Sequence, residues 1–227
     1  MKQHFFIILL LCIAVFGYSQ EKPSFITIKT GASLPIMDYS ANNLDNGSFT
    51  TTGFNLAIEG AWYFKPHWGI GLQSNLDFHP VDVGLLGWEK VKADPSMEDM
   101  YIRSEAYQLI NLGLGIYTQW ELWNNLSISG KIATGIMQAK TPWQYNKALL
   151  FMNVEQIYTI TSSRDRSPFY QVGCGLQYQV NPCLALKVDG EFTYSKMKFG
   201  FTNSSGPYEK IRDISYINTN FGLIILL

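Results

Sequence analysis

Beyond its first nineteen residues the chain has no apolar run approaching the roughly 18 residues a membrane-spanning helix requires. That excludes a helical span from the remainder. Cysteine is scarce, with Cys12 in the leading segment and only Cys174 and Cys183 after it. These two fall along one extended stretch, too far apart to bridge, so both are read as unpaired and no disulfide framework is expected. Three histidines, and no His/Cys/Asp grouping at ligand spacing, leave no metal centre and no cofactor. Neither sign of charge is in excess, with 17 basic against 18 acidic residues, which argues against nucleic acid as a partner.

What is present begins with a targeting pattern. Met1-Lys2-Gln3-His4 precedes an apolar core from Phe5 to Val15, and Gly17 and Ser19 occupy small-residue positions before Gln20. This reads as a secretory signal over residues 1–19, leaving 20–227 as one domain. A lipid-anchor reading at Cys12 is disfavoured, because Leu11 precedes it where a small residue is wanted.

The mature part is organised by alternation. Phe54, Leu56, Ile58, Gly60, Trp62 and Phe64 share one parity against Asn55, Ala57, Glu59, Ala61 and Tyr63. After Lys65-Pro66-His67 the scheme repeats, with Trp68, Ile70, Leu72, Leu76 and Phe78 opposite Gly69, Gly71, Gln73, Asn75 and Asp77. Similar hairpins surround Trp123-Asn124-Asn125 and Asn181-Pro182-Cys183, and single strands near Phe25–Ser33 and at the end complete an even count. Short turns on one side and long connections on the other predict an all-β fold. Its form is an eight-stranded antiparallel up-and-down transmembrane β-barrel with three short periplasmic turns and four long extracellular loops.

The fourth strand is expected from Tyr101 to Trp120 with Glu105 on its inner parity, after a loop spanning residues 79–100 rich in Pro and Gly. The connection at residues 138–167 is the longest. Its apolar segments, Ala148–Val154 and Ile157–Ile160, suit strand extensions or a short helix. Trp62, Tyr63, Phe64, Trp68, Trp120, Trp123 and Tyr178 crowd the short-turn ends, where an aromatic girdle belongs. Ser74, Gln108 and Thr134 interrupt the outward apolar parity.

Inner positions collect Lys29, Lys131 and Lys187 with Glu59, Asp77, Asp189 and Glu191. An eight-stranded lumen is wide enough only for its own side chains, so these charges are expected to form a structural network filling it. His67 falls in a short turn. His79 lies near the outer end of its strand with Asp77 on the same face, but no rim serine stands out as its partner, so no catalytic residue is assigned.

The signal ending Ser19-Gln20, the strand Trp68-Gly69-Ile70-Gly71-Leu72-Gln73 after a Lys-Pro turn, and the closing Asn218-Thr219-Asn220-Phe221-Gly222-Leu223 carry a resemblance. The chain resembles the outer-membrane β-barrel domain proteins of Bacteroidetes-type bacteria, the PorT-like family. That resemblance implies an outer-membrane address and, through one named relative, protein secretion. It departs from many such barrels in ending at Leu227 and not at an aromatic residue.

The expected role is a monomeric, non-enzymatic barrel with a filled polar lumen, acting structurally or by binding through its extracellular loops, as an accessory to secretion or adhesion. Its partners would be outer-membrane lipid and lipopolysaccharide, with a protein partner at the loops. Two alternatives differ in class. A secreted lipocalin-like barrel would turn the apolar parity inward around a small apolar ligand, and a lipid-modifying enzyme would use an outer-rim histidine.

Overall fold

The computed structural model describes residues 24–151, 154–203 and 206–227. The expected signal segment at residues 1–19 lies outside the described residues.

Eight strands close into a barrel. They are β1 (Phe25–Pro35), β2 (Gly53–Lys65), β3 (Trp68–His79), β5 (Tyr107–Trp123), β6 (Leu126–Lys140), β9 (Arg164–Asn181), β10 (Leu184–Asn203) and β11 (Gly206–Leu226). Each pairs antiparallel with the next of these eight along the chain, and β1 closes on β11 from Phe25↔Leu226 to Pro35↔Tyr216. Closure leaves the wall without an open edge.

The turns follow from local chemistry. At Asn181 the side-chain Oδ1 accepts from the backbone N–H of Cys183 (2.9 Å) and Leu184 (2.8 Å), an Asx turn that reverses β9 into β10. Glycines on the inner parity admit aromatic rings. A Cβ on Gly71 would lie 2.7 Å from Tyr117 Cε2, and one on Gly113 would lie 2.7 Å from Phe169 Cζ.

The apolar parity faces outward on every strand. Leu72 and Leu114 are 59% and 65% exposed, whereas Lys131 and Asp189 are each 6% exposed within. Several outward threonines satisfy their hydroxyls against the wall itself. Thr134 donates to the Phe169 carbonyl at 2.9 Å and Thr30 to the Asn55 carbonyl at 2.9 Å. An inward-facing apolar calyx of the lipocalin kind is excluded by this orientation.

Three expectations about the connections change. The expected strand Tyr101–Trp120 is two strands, because β4 (Met97–Ser104) leaves the barrel wall and β5 begins only at Tyr107. Glu105, in the break, faces outward and sits 3.4 Å from Lys140 instead of lining the lumen. Within residues 79–100 lies a helix, α1 (Val83–Ala93), whose first turn is capped by Asp82 accepting from Leu85 N at 2.9 Å. Lys90 and Lys92 occupy its last turn, where cations suit the helix dipole.

The longest connection forms β7 (Gln144–Leu150) and β8 (Val154–Ile160), which join β4 in a separate three-stranded sheet ordered β4-β7-β8. Leu86, Met100, Ile102, Ala148 and Phe49 bury one another beneath it. The fourth connection is a ribbon, since β10 and β11 stay paired out to Asn203↔Gly206. The long-loop end of the barrel thus carries a folded cap of sheet, helix and ribbon. Among the described residues no helix is long and apolar enough to cross a membrane, which says nothing of strands.

Candidate functional site

Alternation along each strand stacks the lumen in four layers. At the short-turn end Phe25, Ala61, Tyr63, Tyr117, Ala185 and Ile224 form an apolar plug, with the Phe25 ring 6.1 Å from Tyr63 and 6.0 Å, edge-on, from Tyr117. Tyr63 therefore belongs to the plug and not to the outer girdle. Inner parity already assigned it there. Of the other girdle residues, Trp62 is half-buried on the outside beside Phe64, and Phe64, Trp68, Trp120, Trp123 and Tyr178 are exposed.

The second layer holds the ions. Lys29 Nζ donates to Glu59 (3.1 Å), Asp189 (3.0 Å) and Glu191. Lys131 Nζ reaches Glu59 at 2.9 Å, Gln73 Oε1 at 2.7 Å, and Glu191. Lys187 meets Glu59 and, at 3.1 Å, Asp189. Gln171 donates to Glu191 at 2.9 Å and Asn220 to Asp189 at 2.9 Å. Three cations face three carboxylates, so the layer is neutral with every ion multiply paired. A cavity of about 10 Å³ beside Lys131, Lys187 and Asp189 has room for about one water.

Asp77 stands apart from this network. Its Oδ1 accepts from Asn55 (2.6 Å) and Asn218 (2.9 Å), and its Oδ2 from Tyr216 (3.0 Å), which itself accepts from Asn111 at 2.6 Å. No described cation pairs with it. A carboxylate held by neutral donors alone forms a third, separate layer, and the grouping of all seven charged residues divides into six and one.

Above it Tyr39, Tyr107, Leu109, Met137, Phe169, Met197 and Ile214 close the lumen with a second apolar plug. His79 is embedded there. Its Nε2 lies 2.7 Å from Ser33 Oγ and its Nδ1 3.1 Å from Tyr39 Oη. Ser33 is thus the serine partner that sequence reasoning did not single out, and its inner parity on β1 was the available signal. Histidine, serine and tyrosine are all fully buried. Both ring nitrogens are engaged, and the group has no exposed face on which a substrate could lie.

The remaining polar concentration is in the cap. Lys90 on α1 donates to Asn146 Oδ1 at 2.9 Å and to Tyr158 Oη at 3.4 Å, with its Nζ 5.6 Å from the Tyr158 ring centroid. Burial pulls its ammonium down from 10.5 to about 8. Cys174 and Cys183 are both free and exposed, and among the described residues no metal-ligating cluster occurs.

No protein-family model matches the chain, and no curated protein matches it. Solved structures resemble it in outline. Neisserial surface protein A is 9% identical over 90% of this chain and 97% of its own, with a TM-score of 0.49. The attachment invasion locus protein Ail of Yersinia pestis is 17% identical over 92% and 100%, at 0.46. The outer membrane protein OprG from Pseudomonas aeruginosa is 11% identical over 91% and 98%, at 0.48. At these identities and scores none of them bears on what this chain does.

Lys29→Met would leave Glu59, Asp189 and Glu191 with one cation too few in a sealed layer. Removing one partner of a buried ion group costs about 3–5 kcal/mol, so equilibrium unfolding in lipid vesicles should show a loss of that size. Lys29→Met/Glu191→Gln should recover part of it, while Asp77→Asn should cost far less because its partners are neutral. For Lys90 the folded cap gives up a proton between about pH 8 and the ordinary lysine value that the unfolded cap retains. Cap stability therefore rises with pH across that window and carries a fixed deficit below it. Hydrogen-exchange protection of the α1 and β7 amides, corrected for the intrinsic rate, should increase from pH 8 to 10 and be flat in Lys90→Met.

Proposed function

We propose that the chain is a monomeric outer-membrane barrel with a sealed lumen, whose activity is binding at the outer cap. The observation that carries this reading is the outward belt. Between the short turns and the cap each strand presents about ten residues without an outward charge, the length a tilted strand needs to cross a bilayer. Lys196 and Lys198 on β10 are the first outward lysines above it on that strand, and Phe64, Trp68, Trp120, Trp123 and Tyr178 mark its lower boundary.

The short turns are assigned to the periplasm and the cap to the cell surface, where lipid and lipopolysaccharide surround the wall. A filled lumen supports a role other than conduction. In the cap, β8 is the edge of its sheet, and Val154 and Ile157 on it are exposed together with neighbouring Phe151. A free strand edge bearing apolar side chains supports a protein partner through strand addition, as an accessory in secretion or adhesion would need. An outer-leaflet lipid enzyme is disfavoured, because the buried Ser33–His79 pair is closed off from the leaflet.

The protein should fractionate with outer membranes, require detergent for extraction and migrate faster on gels before boiling than after. Leu114→Arg should cost about 2–4 kcal/mol in lipid vesicles; a neutral effect there, or release without detergent, would contradict the membrane reading. His79→Ala should leave the lipid A profile of the cell unchanged, whereas an altered profile would revive the enzyme.

A further inference from the structure

A cavity of about 190 Å³ lies in the cap between the first connection, α1 and the β10–β11 ribbon. Three cations border it, Lys90, Lys210 and Arg212, and no Asp or Glu does. The register explains the convergence. Lys210 and Arg212 continue the inward parity of Ile214 and Tyr216 on β11, and across the ribbon Phe199 pairs with Lys210 and Phe201 with Tyr208. Lys90 enters from the helix. Phe49, Leu86, Phe201 and Tyr208 supply the apolar walls.

Two of the cations, Lys210 and Arg212, are poorly compensated. Among the described residues Lys210 makes one hydrogen bond, to the Leu44 carbonyl at 3.3 Å, and Arg212 Nη1 is buried with no described hydrogen-bond partner. Asp45 acts on Lys210 and Asp38 on Arg212, but neither forms an ion pair with them and neither lines the cavity. Burial lowers all three cations. The Lys90 ammonium is already taken up by Asn146 and Tyr158, but Lys210 and Arg212 act on each other as like charges in a partly dry cavity, and an anion would relieve both their repulsion and their lost hydration.

We infer that this cavity is a binding site for a soluble organic anion, one phosphate, sulfate or carboxylate group on a small planar apolar body. The anionic group would meet Arg212 and Lys210, with the guanidinium offering two parallel donors. The body would lie against Phe201, Tyr208 and Leu86. The inference deepens the surface-binding reading and rests on it only for how a ligand from outside the cell reaches the cap.

The test uses the full-length chain in phosphatidylcholine nanodiscs, titrated calorimetrically with 1-naphthyl phosphate, with uncharged 1-naphthol and with inorganic phosphate. One saturable site per chain is expected for 1-naphthyl phosphate, at least tenfold weaker binding for phosphate, and for 1-naphthol only the partitioning seen with empty discs. Arg212→Gln and Lys210→Gln should each weaken binding about tenfold or more, the size of a lost charge-assisted hydrogen bond. Lys92→Gln, an exposed lysine on the same helix, should change nothing. Heat-dependent gel mobility checks that each variant closes, and Lys210→Gln carries the test if Arg212→Gln does not.

Absence of saturable binding, or binding indifferent to the closed variants, overturns the site. Phosphate binding as tightly as the naphthyl ester overturns the apolar half of the ligand class. Loss of binding in phosphatidylglycerol discs would make a lipid headgroup the occupant and overturn the soluble ligand. Saturable binding in discs, with a cap that added protease does not reach on intact cells, would leave the site standing and sink the surface reading instead.

Discussion

Three ammonium groups and three carboxylates, sealed in the middle of the lumen, are the constraint on which the rest of the structure depends. They come from four strands, and the contacts between Lys131 on β6 and Glu59 on β2 run across the lumen, since β3 and β5 separate those strands in the wall. Charges of this kind are tolerable out of water only when each is paired and hydrogen-bonded. An open or slipped barrel would break several pairs together, because a shift of one residue turns every inner side chain outward. The ion layer therefore fixes register, and the plugs above and below keep water from weakening it.

Much of this was legible from alternation alone. Period two separates Glu59 from Ile58 and Lys187 from Leu186 without any knowledge of the fold, and the aromatic turns locate the strand ends. What was missed has physical reasons. At Tyr63 residue type points to the girdle with its aromatic neighbours while parity points inward, and the structure follows parity. α1 was hidden because Gly84 and Gly87 break the helical impression, while the cap at Asp82, its usable signal, is a single residue. The boundary at Glu105 was invisible because β4 and β5 both alternate, and only the pairing of β4 with β7 shows that the chain has left the wall. The partnership of Ser33 with His79 joins residues 46 apart in sequence, which no local pattern encodes.

The division of Asp77 from the other six charges follows the same logic at finer scale. Inner side chains recur every second residue along a strand, and Asp77 lies four residues beyond Gln73 on β3, which binds Lys131, and so above the ion layer. Sequence parity gives the face but not the height, because height depends on the stagger between strands on opposite sides of the cylinder. Asn55, Asn218 and Tyr216 meet Asp77 through that stagger. The lumen is thus a stack of layers in which the charged groups are satisfied separately, and not one continuous path of titratable groups, which fits a wall built to stay closed.

The contrast between lumen and cap decides where a ligand is recognised. In the ion layer every charge already has partners at hydrogen-bond distance, so an entering ion would have to displace contacts as good as those it makes. In the cap, Lys210 and Arg212 stand two residues apart on one face of the paired β10–β11 ribbon, with their carboxylate neighbours out of pairing range. Cationic donors that are placed by the strand register and left without a carboxylate partner favour an incoming anion, because less ordering remains to be done when it arrives. The barrel contributes by holding the base of that ribbon still. Rigidity below and unmatched charge above are two results of one arrangement, in which the inward parity of β11 runs from Asn218 in the sealed lumen up to Arg212 beyond it.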